Sequence, residues 1–431
     1  MSLLVYTEKR TPRIDYIFNL MIEDIAGFSF QTTGSKEEFE AYTGPKLAYS
    51  NEAFQDAIIV PSAFFLDGNT KEVKELHYII HDGVDCPFAI EGSSDFRFDI
   101  FSAGFYLVTR CEEYSGKSRD HHHRFSIYES IAYKKGFIEK PVVNLWALEL
   151  RKKILNKFPS LICKTNRFKI VSTIDVDQLY AIKARGMKRT LGRLGKQAIG
   201  LNLKNIAETL SVLLFNQKDP FDTFEYILSF NAKTKNELLF FVHLGDYGMY
   251  DKSIQWNHKD MKRVIQSLAA QAIVGIHPSY RSNEDLMRLK VEIQRYEELV
   301  QASPQKSRQH YLKLSFPETY ERLLKEGILA DYTMGYSECV GFRASICNPF
   351  KFYDLQTESI TNLIVYPFAI MDRALKDGMK LSLNESIDKV KKLLTEVKLS
   401  EGIFITLFHN ESLSENKEWK GWRSVYESIF K

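Results

Sequence analysis

Two carboxylates two residues apart close the apolar run FKIVSTI: Asp175 and Asp177, in the string TIDVD. Side chains alternate along an extended backbone, so this spacing turns both acids to the same face. A pair held there can divide its labour, one carboxylate binding a metal ion and the other taking a proton. The other reading is that both end the strand and start a turn. A second polar terminus is GIHPSY, where Pro278 pushes His277 into an extended conformation and keeps it at its strand end. Imidazole is the commonest metal-ligating side chain, and the plainer role is a hydrogen-bonded structural histidine. A third terminus is His409, delivered by the run GIFITLFH and followed by Asn410 and Glu411, which either tune it or cap the next helix. If these strands lie parallel in one sheet, acids and imidazoles converge as a hydrolytic metal constellation.

The elements needed for that convergence are legible. From Phe168 onward the short runs FKIVSTI, ELLFFVHL, AIVGI, LIVYPFAI and GIFITLFH alternate with helical stretches, the signature of a buried parallel sheet. NEDLMRLKVEIQRYEELV sets Leu286, Leu289, Ile293, Tyr296 and Val300 on one face behind a Ser282-Asn283 start. PETYERLLKEG opens with Pro317 and closes with Gly327. In such sheets function gathers at the carboxyl ends of the strands. Before Phe158, runs such as AIIVPSAFFL alternate with polar turns, and a helical pattern covers residues 100–113 behind the capping residue Asp99. The expected fold class is α/β: a (β/α) barrel or open barrel over residues 166–431, preceded by a smaller mixed α/β domain over residues 1–160.

Composition narrows the function classes. A chain of 431 residues, 44% hydrophobic and 26% charged, predicts two or three well-cored domains. Lysine plus arginine number 58 against 55 acids, a balance that gives no support to nucleic-acid binding, so any basic site must be local. One such place lies between Ala181 and Ala207, with seven basic residues and no acid. It reads first as a solvated excursion and second as a surface for anionic lipid or a charged glycan, that is, peripheral membrane contact. The three histidines of SGKSRDHHHRF point in different directions on any regular element and read as a solvated loop. In GFRASICNPFKFYD, Arg343, Phe350 and Tyr353 either line a sugar pocket or pack within an irregular loop. Cys86, Cys111, Cys163, Cys339 and Cys347 are odd in number and lack a C-x-x-C pair, which fits a reducing compartment. With no run near the roughly 18 to 20 apolar residues of a membrane span and no signal-like start, the expected location is the cytoplasm.

The order TIDVD, GIHPSY, SRQHYLKLSFPETYERLLKEGILADYTMGY and FITLFHN resembles the motif series of the NodB-type polysaccharide deacetylases, carbohydrate esterase family 4. FDIFSAGFYLVTRCEEY, PVVNLWALELRKKI, GDYGMYDK, GFRASICNPFKFYDL and GWRSVYE are similar to a bacterial subgroup with an N-terminal domain of unknown function. The resemblance implies a distorted barrel of the deacetylase type and a hydrolase removing N-acetyl or O-acetyl groups from a sugar of an oligosaccharide or polysaccharide. It implies one divalent, zinc-like ion and an acetylated glycan as partner. Residue by residue, it makes Asp175 the general base, Asp177 the metal-binding acid and His277 the first metal histidine. Arg308 orients the base and His409 protonates the leaving amine. The family's second metal histidine follows the first by four residues, where this chain has Arg281. His310 is then the expected third ligand, with His243 and Asp246 as alternatives, and Tyr280, Arg343 and Tyr353 are the expected substrate contacts. Arg281 also motivates a reading from another class, a catalytically silent glycan-binding protein on the same fold.

Overall fold

Short runs rich in β-branched and aromatic residues are buried on both faces and therefore fold as strands flanked by helices. The computed structural model describes residues 2–68, 75–92, 94–114, 116, 118–215 and 217–431. Among these residues, a four-stranded sheet comes first, built from β1 (Leu3–Thr7), β2 (Phe30–Thr33), β3 (Lys46–Tyr49) and β4 (Ile58–Val60) in the order β2-β1-β3-β4. A hairpin of β5 (Tyr78–His81) and β6 (Val84–Pro87) follows. The helix Ile100–Val108 starts where expected, Asp99 accepting from the backbone N–H groups of Phe101 at 3.0 Å and Ser102 at 2.8 Å. It stops short of the expected end because Arg110 adopts a left-handed φ of 57°, and a separate turn, Cys111–Tyr114, continues it.

The large sheet contains β7 (Lys169–Val176), β8 (Glu237–Val242), β9 (Ile273–Ile276), β10 (Lys306–Ser307), β11 (Ala330–Asp331), β12 (Phe350–Asp354), β13 (Ser359–Val365), β14 (Ile370–Met371) and β15 (Ile403–His409). Their order is β12-β13-β11-β10-β9-β8-β7-β15-β14, and every pairing is parallel except the β12–β13 hairpin. The α/β expectation is borne out as a curled, open half-barrel. Its edges are β12 and β14, so β7 and β15 are neighbours by direct pairing and need no closure of the sheet.

Register sets the site. His409 pairs with Asp175, Asp175 with Phe241, Val242 with Ile276, and Ile276 with Ser307. The next residue along each strand therefore emerges at one rim, including His277 after Ile276 and Arg308 after Ser307. Gly275 makes the crowding at this point tolerable, since a Cβ there would meet the Phe241 ring at 2.7 Å and the Lys306 carbonyl at 2.8 Å.

The helix Leu286–Val300 is capped by Asp285, not by Ser282-Asn283. Those two residues are held in the preceding turn, where the Ser282 hydroxyl donates to the Ser279 carbonyl at 2.8 Å and the Asn283 amide to the Lys313 carbonyl at 2.7 Å. The main hydrophobic core draws residues from Leu3 to Ile429, and a second, smaller cluster gathers Leu4, Tyr6, Phe39, Ala48, Phe54 and Ala57 on the first sheet. Ion pairs tie the chain's two halves together: Arg13 with Glu358 at 2.6 Å and Arg343 with Glu113 at 2.6 Å. No described helix is long and apolar enough to cross a membrane.

Candidate metal centre

At the carboxyl rim of the large sheet lies a cavity of about 450 Å³ whose lining includes Asp175, Asp177, His277, His310 and His409. Asp175 ends β7 with its Oδ1 accepting from Arg308 Nη1 at 2.8 Å, and the same Nη1 donates to Thr173 at 2.7 Å. Arg308 is fully buried, its guanidinium 4.6 Å from the centre of the Phe241 ring and its Nε donating to the Tyr332 carbonyl at 3.0 Å. The base candidate is thus fixed on one oxygen while its second, 3.7 Å from His277 Nε2, faces the cavity side.

Three imidazoles surround Asp177, and each has its outer nitrogen committed. His277 Nδ1 donates to the Arg308 carbonyl at 2.5 Å. His310 Nδ1 meets Asp251 at 2.8 Å, and His409 Nδ1 meets Asp372 at 2.9 Å. A carbonyl can only accept, and an ionised carboxylate likewise, so each Nδ1 carries the hydrogen and each Nε2 is left to face inward. The inward distances to Asp177 are 3.1 Å from His277 Nε2, 3.3 Å from His310 Nε2 and 3.7 Å from His409 Nε2. A neutral imidazole presents a lone pair there, and a lone pair 3.1 Å from a carboxylate oxygen is repulsive unless a cation, proton or metal, lies between.

Further observations fit the donor set to a metal ion. Asp177 Oδ1 is buried and has no hydrogen-bond partner among the described residues. The ligand atoms of Asp177, His277 and His310 lie within 4.8 Å of one another. Tetrahedral zinc with bonds of about 2.0–2.1 Å brings its ligand atoms to roughly 3.3 Å, near the two shorter separations to Asp177. Three protein donors leave one position open, the arrangement of catalytic zinc sites. The electrostatics show a cluster that attracts positive charge, carried by a proton or by a metal ion. Burial works against charge on His310, yet Asp177 and Asp251 outweigh it and raise its pKa to about 10. For His409 burial is outweighed by Asp372 and then Asp177, and its pKa is pushed up to about 9. Burial likewise opposes the charge on Asp177, but His310 and His409 hold its carboxyl well below the ordinary range.

Asp251 and Asp372 are the functional candidates that the sequence reading passed over. Asp251 Oδ1 accepts from His310, from His243 Nε2 at 2.9 Å and from the Tyr280 backbone N–H at 3.1 Å. His243 is consequently a spoke on this hub and faces Asp251, not Asp177. Asp372 follows β14 and also accepts from the His409 backbone N–H at 2.7 Å, locking ring and main chain together. A carboxylate after the apolar run LIVYPFAIM obeys the same strand-end rule that drew attention to Asp175, so it was findable. Asp251 sits in a loop and carries no periodic signal.

An aromatic cluster stands at the mouth, where Tyr250, Tyr311 and His122 line the cavity and the expected contact Tyr280 packs on Tyr250 without lining it. Tyr280 packs on Tyr250 with ring centres 4.2 Å apart, Tyr311 lies 5.3 Å from Tyr250, and His122 lies 4.9 Å from Tyr311. His122 comes from the histidine triplet, so the solvated-loop expectation needs correcting for this residue, which is buried and bonds the Tyr280 hydroxyl at 3.2 Å. Ser115 and Lys117 of that segment lie outside the described residues. Left-handed backbone at Tyr311 (φ 60°) and Leu312 (φ 52°) turns the chain so that His310, Tyr311 and Leu312 all reach the cavity lining.

Three expected contacts are elsewhere. Arg343 does not line the cavity, because its guanidinium is buried in a paired hydrogen bond with Glu113 at 2.9 and 2.6 Å. Tyr353 is buried against Tyr16 and Phe105 and donates to Glu358 at 2.9 Å. These belong to the packed-loop alternative for GFRASICNPFKFYD. Asp246 is exposed and paired with Arg295 at 2.8 Å, and Arg281 is exposed in a turn.

Residues 3–159 match a family model described as a family of unknown function, DUF7033. No curated protein matches the chain. Among solved structures it is similar to a Mycobacterium smegmatis protein assigned as a polysaccharide deacetylase, with 13% identity, a TM-score of 0.39 and coverage of 62% of this chain and 85% of the other. It is also similar to a polysaccharide deacetylase from Bacillus cereus, with 12% identity, a TM-score of 0.31 and coverage of 61% and 86%. A third likeness is to Puue allantoinase, with 10% identity, a TM-score of 0.37 and coverage of 61% and 83%. Likenesses of this size assign no chemistry, and function must be argued from the site itself.

Proposed function

We propose that this cavity is the active site of a metal-dependent hydrolase that removes acetyl groups from a sugar of an oligosaccharide or polysaccharide. The observation that carries the reading is the set of inward-facing Nε2 atoms opposite Asp177, beside a carboxylate, Asp175, fixed by a buried arginine. Asp177, His277 and His310 would hold one divalent, zinc-like ion, with His409 flanking it. When bound, such an ion supplies Lewis acidity that polarises a carbonyl and lowers the pKa of water.

The chain's own residues perform the proton transfers. Asp175 uses its free oxygen to take the proton of the attacking water, and Arg308 holds that carboxylate in one orientation throughout. His409 carries its proton at neutral pH, because Asp372 and Asp177 stabilise the charged ring against burial. It gives that proton to the departing nitrogen, which is too basic to leave as an anion. Asp372 fixes the ring so that the proton sits on the inward Nε2. The rings of Tyr250, Tyr311 and His122, backed by Tyr280, offer apolar faces with polar tips, a surface suited to a sugar with its own apolar faces and hydroxyl edges. In this reading residues 1–160 and 166–431 are the two domains, and the first lends His122 and Arg124 to the cavity lining.

The test is acetate release from acetylated oligosaccharides by wild type and Asp175→Asn, with metal content measured alongside. The amide copies the carboxylate in shape but cannot accept the proton, so release should stop while metal is retained. Unchanged release by the variant refutes the reading.

A further inference from the structure

The segment between the first strand and its next partner folds as a helical hairpin, Met187–Ile199 and Leu203–Leu214, whose apolar face has no partner in the chain. The first helix buries none of its residues. Met187, Leu191 and Ile199 recur at helical spacing, Leu201 lies at the turn, and Leu203 and Leu214 continue the face on the second helix. These six side chains are 61–87% exposed, whereas a solvated excursion would turn polar side chains outward. Five of the seven basic residues between Ala181 and Ala207, namely Lys188, Arg189, Arg193, Lys196 and Lys204, lie on this hairpin, against a single acid, Glu208, which is already paired with Lys417 at 3.4 Å. Lys188, Lys196 and Lys204 are exposed and, among the described residues, none lies within ion-pair distance of a carboxylate.

We propose that this hairpin is a docking element for an anionic phospholipid bilayer. Each helix is far shorter than a membrane span, so the pair lies in the interface with its apolar face in the acyl boundary and its lysines at the headgroups. Charge selects this occupant over a second copy of the chain. Two hairpins face to face would set five positive charges against five, and the one acid of each, Glu208, is already paired with Lys417 of its own chain. An anionic leaflet complements the same charges.

The placement also bears on the cavity. Arg185 donates to Gln178 Oε1 at 2.5 Å and to the Lys252 carbonyl at 3.1 Å, and both Gln178 and Lys252 line the cavity. Arg189 stacks on Tyr247 at 3.6 Å, and the neighbouring Met249 is exposed. A docked hairpin therefore brings the cavity mouth to the headgroup layer, whatever reaction the cavity performs.

Co-sedimentation of the full chain with phosphatidylcholine vesicles and with mixed phosphatidylcholine–phosphatidylglycerol vesicles tests this directly. Wild type should pellet with the mixed vesicles, remain in solution with phosphatidylcholine alone, and dissociate as salt rises. The triple variant Lys188→Gln, Lys196→Gln, Lys204→Gln should bind about a hundredfold more weakly, at roughly fivefold per lysine. The variant Leu191→Glu, Ile199→Glu, Leu203→Glu should lose binding altogether. All six side chains are exposed, so both variants should melt as wild type does, which separates lost docking from lost folding. A Leu203→Trp reporter should shift its emission to the blue on mixed vesicles. Wild type that ignores phosphatidylglycerol, glutamate substitutions that leave binding intact, or a solution dimer that Leu203→Glu dissociates would each overturn the proposal.

Discussion

Replacing Asp251 by asparagine probes whether the outer hydrogen bonds hold the metal ligands in place. One carboxylate oxygen accepts from His310 Nδ1 at 2.8 Å, His243 Nε2 at 2.9 Å and the Tyr280 N–H at 3.1 Å, so its negative charge organises three donors at once. Asparagine keeps the shape but offers a neutral oxygen, and its amide N–H₂ cannot accept from an imidazole N–H. His310 then keeps at best an uncharged acceptor, so its tautomer and ring plane are held less firmly and the inward Nε2 is less strictly aimed at Asp177. Removal of such a partner weakens metal affinity by about 10–100-fold, or roughly 1.4–2.7 kcal/mol. Folding should suffer separately, since three charge-assisted hydrogen bonds in a buried setting become neutral ones at about 1 kcal/mol each at most. The assay is competition for zinc against a chromophoric chelator, run beside a thermal melt of the chelated protein. Affinity within twofold of wild type, with the expected loss of melting temperature, would refute the outer-partner argument and leave Asp251 as a structural hub.

The remaining expectations concern different parts of the molecule. Asp372→Asn should leave metal content unchanged and slow acetamide hydrolysis more than acetate-ester hydrolysis, because an alkoxide leaves more readily than an amine and depends less on His409; equal slowing of both would remove His409 from the acid role. Tyr311→Ala should raise KM for oligosaccharides several-fold with little change in kcat, as measured by initial rates, because the ring meets the ligand away from the reacting atoms. Glu113→Gln should cost about 3–5 kcal/mol in denaturant unfolding, as it leaves the Arg343 guanidinium buried without its anion and Arg110 with Glu112 alone. Burial opposes the Glu113 charge, but Arg343 and Arg110 outweigh it and hold the carboxyl below its ordinary 4.5. Its contribution is then present above the unfolded value and lost as pH falls through the folded one, so wild type should lose stability on acidification through and below about pH 4.5 more steeply than Glu113→Gln.

How far the sequence reveals this site depends on the kind of element that carries each residue. Asp175, Asp177, His277 and His409 stand at the ends of apolar runs, and parallel register brings their side chains to one rim. Arg308 and His310 follow a strand of only two residues, Lys306–Ser307, too short to leave a hydrophobic run, and only the resemblance singled them out. Asp372 was within reach of the strand-end rule, but β14 is also two residues long and its run reads as part of the longer LIVYPFAI stretch. Asp251, Tyr250 and His122 lie in loops whose course is set by tertiary contacts, and no spacing rule reaches them. Arg343 and Tyr353 misled for a related reason. Their polar groups find partners in Glu113, 230 residues away, and Glu358, five residues away, and nothing in the local string distinguishes a buried ion pair from a ligand contact.

The most direct test of the account is calorimetric titration of zinc into chelator-treated protein, comparing wild type with Asp177→Asn and His277→Ala. One site per chain in wild type, with affinity lost in each variant while the fold is retained by circular dichroism, is the predicted result. Wild type that takes up no divalent ion, or a variant that binds as tightly as wild type, would contradict it and leave protons as the cations between these imidazoles and Asp177.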